Sequence, residues 1–183
     1  MRPSLSVGAV LIALTLSPEP ANDTDMQRVE VAAILPLEGE GALLLLEAKG
    51  TGAVLPLVIG LPEASAIEAG RLKAVPPRPL THDLLASAVL ALGAAVSRVD
   101  IDSFQNSVFL AKVRLAQSGR DITLDARPSD SVALALRTGA GIFAATRVLE
   151  EHGLSRAELD NLRRRPGDLE RRLRGAEAEG TRL

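Results

Sequence analysis

His82 and Asp83 stand side by side in Leu80-Thr81-His82-Asp83-Leu84-Leu85. A second polar knot, Asp125-Ala126-Arg127-Pro128-Ser129-Asp130, runs straight into the apolar stretch Ser131-Val132-Ala133-Leu134-Ala135-Leu136-Arg137. These residue types move protons and hold anions. A helix dipole disfavours an imidazolium in the first turn, so His82 in such a position is expected to be neutral and proton-accepting near pH 7, as a general base requires. Arg127 offers a planar fork that fits a carboxylate or a phosphate, and Ser129 and Asp130 would lie among the free amides of a helix start. A purely structural reading stands beside this one. Asp83 and Asp130 are ordinary first-turn acids, and Arg127 could pair with a neighbouring carboxylate and pin a helix to a sheet.

The surrounding pattern says how these groups are held. Thr81 is expected to cap a helix that runs to about Gly93, with Leu80 and Leu85 spaced as a staple across the cap. Pro128 suits the first position of the second helix, and Thr138-Gly139 its left-handed stop. Upstream, Arg28 to Leu35, Ala42 to Glu47 and Ala53 to Ile59 read as three strands punctuated by glycines, after which Gly60-Leu61-Pro62-Glu63 opens a helix that ends at Gly70. The second half has the same outline, with strands at Val99 to Asp102, Val108 to Leu115 and Ile122 to Asp125, and turns at Gln105-Asn106 and Ser118-Gly119. Phe109, Ala111, Val113 and Leu115 mark a buried face by period two, while Asp100 and Asp102 alternate outward. Two βββα units of this kind place two helix starts, Leu61-Pro62-Glu63 and Arg127-Pro128-Ser129-Asp130, in equivalent positions. Each could face an anion, for which phosphate is the natural candidate.

Composition limits what the chain can do. Its 183 residues, 46% of them hydrophobic, suffice for one full core with tails. A net charge of −2 supplies no global attraction for nucleic acid, so any polyanion would have to be held by local arginines. The absence of cysteine excludes disulfides, thiolate zinc sites and cysteine nucleophiles, and two histidines are too few for a dense histidine metal site.

The ends read differently from the middle. Residues 1–25 form a leader and linker: Arg2 precedes the short apolar run Val7 to Leu16, which points to an export signal and a periplasmic or secreted protein, with a cytoplasmic one as the alternative. Residues 26–153 carry the domain. After Pro-rich Val75 to Pro79 and the short helix Thr146 to His152, which leaves His152 at an exposed helix end, Ser155-Arg156-Ala157-Glu158 is a capping box. It opens a charged helical tail over 154–183 that frays toward its end.

Three motifs in order, Leu55-Pro56-Leu57-Val58-Ile59-Gly60 with Glu63-Ala64, then Arg78-Pro79-Leu80-Thr81-His82-Asp83-Leu84, then Asp125 through Ala135, resemble the bifunctional nuclease domain family over roughly Val29 to Gly153. The resemblance implies an α+β fold, consistent with two βββα units of mainly antiparallel strands. It also implies homo-oligomeric assembly and hydrolysis of DNA and RNA with low sequence specificity. Where the family often has an aromatic after the phenylalanine of the long middle strand, this chain has Leu110. Phosphodiester hydrolysis needs an activated water, donors for the charge on phosphate and a proton for the leaving oxygen. His82 could be the base or acid, Asp83, Asp125, Asp130 and Glu63 could hold a divalent ion such as Mg²⁺ or Mn²⁺, and Arg78, Thr81, Arg127 and Ser129 could bind substrate. The rival is a non-catalytic oligomeric binding or regulatory module. The acidic balance, the lack of Tyr and Trp for base stacking, and acids paired with arginines for structure alone would all suit it.

Overall fold

The computed structural model describes residues 25–37 and 41–164; the expected leader and most of the charged tail lie outside the described residues. Among the described residues, seven strands form one mixed sheet: β1 (Met26–Pro36), β2 (Gly41–Ala48), β3 (Val54–Gly60), β4 (Ala94–Gln105), β5 (Val108–Gln117), β6 (Arg120–Ala126) and β7 (Gly141–Ala145). Their order is β3-β2-β1-β7-β4-β5-β6. The class is α+β and the pairing mostly antiparallel, β4 with β7 being the parallel exception. Each expected βββα unit is present as a meander followed by a helix, and β7 is inserted between the two meanders.

Local chemistry accounts for the strands. In β2 the run Ala42 to Leu46 is buried on both faces, so an unbroken apolar sequence can pair on both edges. The β4–β5 hairpin turns on Asn106 and Ser107, and the β5–β6 hairpin on Ser118 and Gly119. All four have positive φ, the mirror-image turn whose twist matches that of the strands. β4 is far longer than Val99 to Asp102, because two bulges let it follow β5 from end to end.

Among the described residues, three helices cover one face of the sheet: α1 (Leu61–Arg71), α2 (Thr81–Ala91) and α3 (Pro128–Thr138). α3 is the inner one, with Ser129, Ser131, Val132, Ala133, Leu134 and Ala135 buried. Pro128 opens it and Gly139, at φ 75°, closes it left-handed as expected. α1 begins at Leu61, which puts Pro62 second, and it runs one residue past the expected end at Gly70. A Cβ at Gly70 would stand 3.0 Å from both Leu136 Cβ and Arg137 Nη1, so α1 and α3 approach there only because Gly70 has none. The cap of α2 also differs. Leu80 is its N-cap and Thr81 its first helical residue, while Asp83 accepts the Leu80 amide at 2.9 Å. Leu80 and Leu85 are both exposed, so no staple forms across that start.

Asp100 and Asp102, expected to point to solvent, are instead buried at 1% and 6% exposure. They lie on the sheet face away from the helices, where cations on β4 and β5 meet them. Asp100 is bound by Arg98, 2.7 Å away, and by Arg114, and Asp102 by Lys112 and the Ser103 hydroxyl. Arg98 also lies over the Phe143 ring, 5.1 Å from its centroid. Period two assigned the face correctly, but it cannot show that long basic side chains fold over it and shut out water.

Beyond α4 (Thr146–His152), the chain pairs back onto the edge of β3 through Leu154 and Val54. α5 (Arg156–Arg164) then buries Leu159 beside Leu43, Leu45 and Val54. The Ser155 capping box forms as expected, with the Glu158 amide donating to Ser155 Oγ at 3.2 Å and the Ser155 amide to Glu158 at 2.9 Å.

Arg137, near the end of α3, ties the three helices together. Its Nε donates to Asp83 Oδ1 on α2 at 2.6 Å, and its Nη1 to the carbonyls of Ala66 on α1 and Ala133 at 2.9 and 3.0 Å. Arg137 is buried and Asp83 is mostly so, which leaves little water to replace a lost partner. Arg137→Ala is therefore expected to cost about 3 kcal/mol, read as a fall in the urea midpoint, and Arg137→Lys to recover only part of it.

Candidate active site at three helix starts

The first turns of α1, α2 and α3 each supply one side chain to a continuous polar chain. Asp130, third residue of α3, accepts Arg127 Nε on Oδ2 at 2.7 Å and Arg127 Nη2 on Oδ1 at 3.1 Å. Arg127 Nη2 also donates to Glu63 of α1 at 2.8 Å. His82 of α2 completes the chain through Nε2, 3.2 Å from Asp130 Oδ1. The start of α2 crosses the middle of α3, so His82 reaches back to Asp130 while Asp83 reaches on to Arg137. Those two residues are about 10 Å apart along the helix axis. Gly60 also contributes, since a Cβ there would collide with the Glu63 carboxylate folded over it.

Charge sets the protonation states. Partial burial pushes the Asp130 carboxyl up, but hydrogen bonds from Arg127 and His82 outweigh it and hold the group below the ordinary aspartate value. Asp130 first, and Glu63 second, push the Arg127 guanidinium up. An ionised Asp130 can only accept, so His82 Nε2 donates to it, and Nδ1 is the ring nitrogen able to accept when the ring carries a single proton. The ring is 12% exposed, whereas the Arg127 side chain is 66% exposed. Arg127 Nη1 is engaged by no described residue and can donate to an incoming anion.

The remaining residues singled out in the sequence lie apart from this chain of contacts. Asp83 caps Leu80 and pairs with Arg137. Asp125 is exposed on β6, opposite Lys112 and on the face away from α3. Arg78 is exposed in the Pro-rich bend and makes no ion pair with a described residue, and Thr81 is exposed at the start of α2. Ser129 is buried and lines a cavity of about 450 Å³ together with Glu63 and Arg127. Among the described residues, no group of three or more His, Cys, Asp or Glu is placed to hold a metal ion. Asp83, Asp125, Asp130 and Glu63 thus do not form one donor set for Mg²⁺ or Mn²⁺, because arginines and the sheet separate them.

Three residues gain importance only in the folded chain. Arg137 carries no local signal of its role, since its partner lies 54 residues away. Phe104 is on the part of β4 beyond the strand expected from sequence. His152, expected at an exposed helix end, packs against Phe104 and Phe109 with ring centroids 4.3 and 5.3 Å away.

The bifunctional nuclease domain model matches residues 43–157, which include every member of the polar chain. The chain belongs to the bifunctional nuclease domain family. It is also 43% identical, over 117 residues, to uncharacterized proteins of two strains of Mycobacterium tuberculosis, an alignment that covers 64% of this chain and 69% of each relative. Membership of this family points to a nuclease-related function and to nucleic acid as the partner.

Two of the depressed carboxyls, those on α2 and α3, give a pH prediction. The Leu80 amide, and then Arg137, hold Asp83 low, and Arg127 and His82 hold Asp130 low. Both fold with pKa values below the unfolded value of about 4, so their contribution is present above about pH 5 and is lost as pH falls through the folded values. The urea midpoint of the wild type is expected to stay level from pH 7 to 5 and to drop below about pH 4. The drop should be smaller in Asp83→Asn and Asp130→Asn, and parallel curves for all three proteins would remove these groups as its cause.

Proposed function

We propose that this domain hydrolyses phosphodiester bonds of DNA or RNA with low sequence specificity, and that His82, Asp130 and Arg127 are its working residues. The observation that carries the reading is the polar chain itself, a histidine oriented by a carboxylate next to an exposed guanidinium with a donor to spare. Arg127 Nη1 holds a phosphate oxygen while Glu63 and Asp130 keep the fork in place. Water attacks phosphorus as its proton passes to His82 Nδ1. The bond to the leaving oxygen breaks with its electron pair, and that oxygen takes a proton from the imidazolium or from water. Asp130 holds the ring in the required tautomer, the role of a triad carboxylate.

The test is hydrolysis of fluorescein-labelled DNA and RNA strands by purified protein, with and without added Mg²⁺ or Mn²⁺. His82→Ala is expected to lower the rate by about 10²- to 10⁴-fold. Arg127→Lys should weaken substrate binding, and with its side chain largely in solvent the replacement should move stability by less than about 1 kcal/mol. Activity unchanged in His82→Ala overturns the assignment. Binding without hydrolysis in the wild type favours the non-catalytic module, in which the same ion pairs only join the helix starts.

We also propose that the protein is a homo-oligomer with α2 at its interface. No residue of α2 is buried, and Leu84, Leu85, Leu90 and the following Leu92 present large apolar side chains to solvent, Leu90 and Leu92 at 74%. A second copy of the same helix would cover them as self-complementary surface. Leu84→Glu with Leu90→Glu is expected to lower the mass measured by light scattering to that of one chain, and a wild-type protein that is itself monomeric would end the proposal.

A further inference from the structure

The cavity beside Arg127 has three unlike walls. One is aromatic: Phe104 and Phe109 lie 4.6 Å apart, and His152 sits against both. One is the outer edge of β3, residues Pro56 to Gly60. The third is the start of α3, with Arg127, Pro128 and Ser129, and Glu63 beside it. The β3 edge can be read from its hydrogen bonds. The amide and carbonyl of Val54 both bond to Leu154, away from β2, so alternation turns the backbone groups of Pro56, Val58 and Gly60 to the same outer side. Pro56 has no amide to lose there, as expected of a proline on an edge. At Val58 a donor and an acceptor therefore stand together at the rim of the cavity.

We infer that this cavity receives one unpaired nucleobase, so that the protein selects single-stranded nucleic acid. The inference rests on the proposed role of Arg127 as the phosphate ligand. A base brings a flat face for Phe104, Phe109 and His152, a hydrogen-bonding edge for Val58, and an adjoining phosphate for Arg127 Nη1. A cavity of about 450 Å³ is of the size that binds small ligands. Bases paired in a duplex cannot enter it without leaving their stack. Stacking also answers the charge problem: a net charge of −2 supplies no global attraction for nucleic acid, so short-range contact with the base would hold the strand.

The test compares binding of one fluorescein-labelled 12-nucleotide strand, free and annealed to its complement, by fluorescence anisotropy of the full chain. Phe104→Leu and His152→Leu are expected to weaken the free strand by about 5- to 150-fold and leave the duplex unchanged. Phe143→Leu, which alters the ring under Arg98 on the sheet's other face, should change neither. Wild-type affinity for the free strand in both cavity variants, with melting temperatures preserved, overturns the inference. Should those variants fail to fold, competition on the wild type decides: adenosine monophosphate should displace the strand far better than ribose 5-phosphate, and equal displacement overturns the inference. Hydrolysis measured on the same proteins separates the two proposals. A strand preference lost in Phe104→Leu without any hydrolysis leaves the cavity and removes the nuclease, and hydrolysis of both substrates with no effect of Phe104→Leu does the reverse.

Discussion

Burial of α3 against the curled sheet is the constraint on which the rest of the molecule depends. Small residues make it feasible, because Ser131, Ala133 and Ala135 let the helix settle close to β4, β5 and α1 while Val132 and Leu134 fill the space between. A helix held along its length fixes both of its ends, and each end carries an arginine. The two have opposite fates. Arg137 is enclosed, so its pair with Asp83 and its bonds to two carbonyls act in a low dielectric where a missing partner is costly. Arg127 is open to water, so its pairs with Asp130 and Glu63 contribute little to stability and leave the guanidinium available.

Much of this was legible in the chain because it is local. Pro128 and Gly139 bound α3, the Ser155 capping box opens α5, and the two tight hairpins fall at or within a residue of their turn signals. Glu63, His82, Arg127 and Asp130 were recognisable as residues able to do chemistry, but their assembly was not. Arg127 and Asp130 pair locally, but the contacts that bring His82 and Glu63 to them span 48 and 64 residues, and period and capping carry no information at that range. Asp83 and His82 show the limit most clearly. They are adjacent in sequence and similar in promise, yet consecutive positions on a helix diverge by about 100°, and here one faces Asp130 and the other Arg137.

The aromatic wall was hidden for a different reason. Its three rings come from β4, β5 and the end of α4, and the bulges that carry β4 as far as Phe104 have no strong sequence signature. Counting aromatics across the chain therefore misleads. Three phenylalanines and no Tyr or Trp look too few for stacking, but two of the three, with His152, meet at one place beside the polar chain.

The acids around Arg127 make sense in terms of when charge appears. With His82 neutral, the group formed by Arg127, Glu63 and Asp130 carries one net negative charge, which opposes the approach of a phosphate and calls for contacts other than long-range attraction. When a proton moves onto His82, the four side chains together sum to zero, and the positive charge on the ring meets the Asp130 carboxylate already in place. On the nuclease reading, the arrangement thus favours the transition state over the bound substrate. That difference is what raises a rate, whereas a more basic site would have tightened both alike.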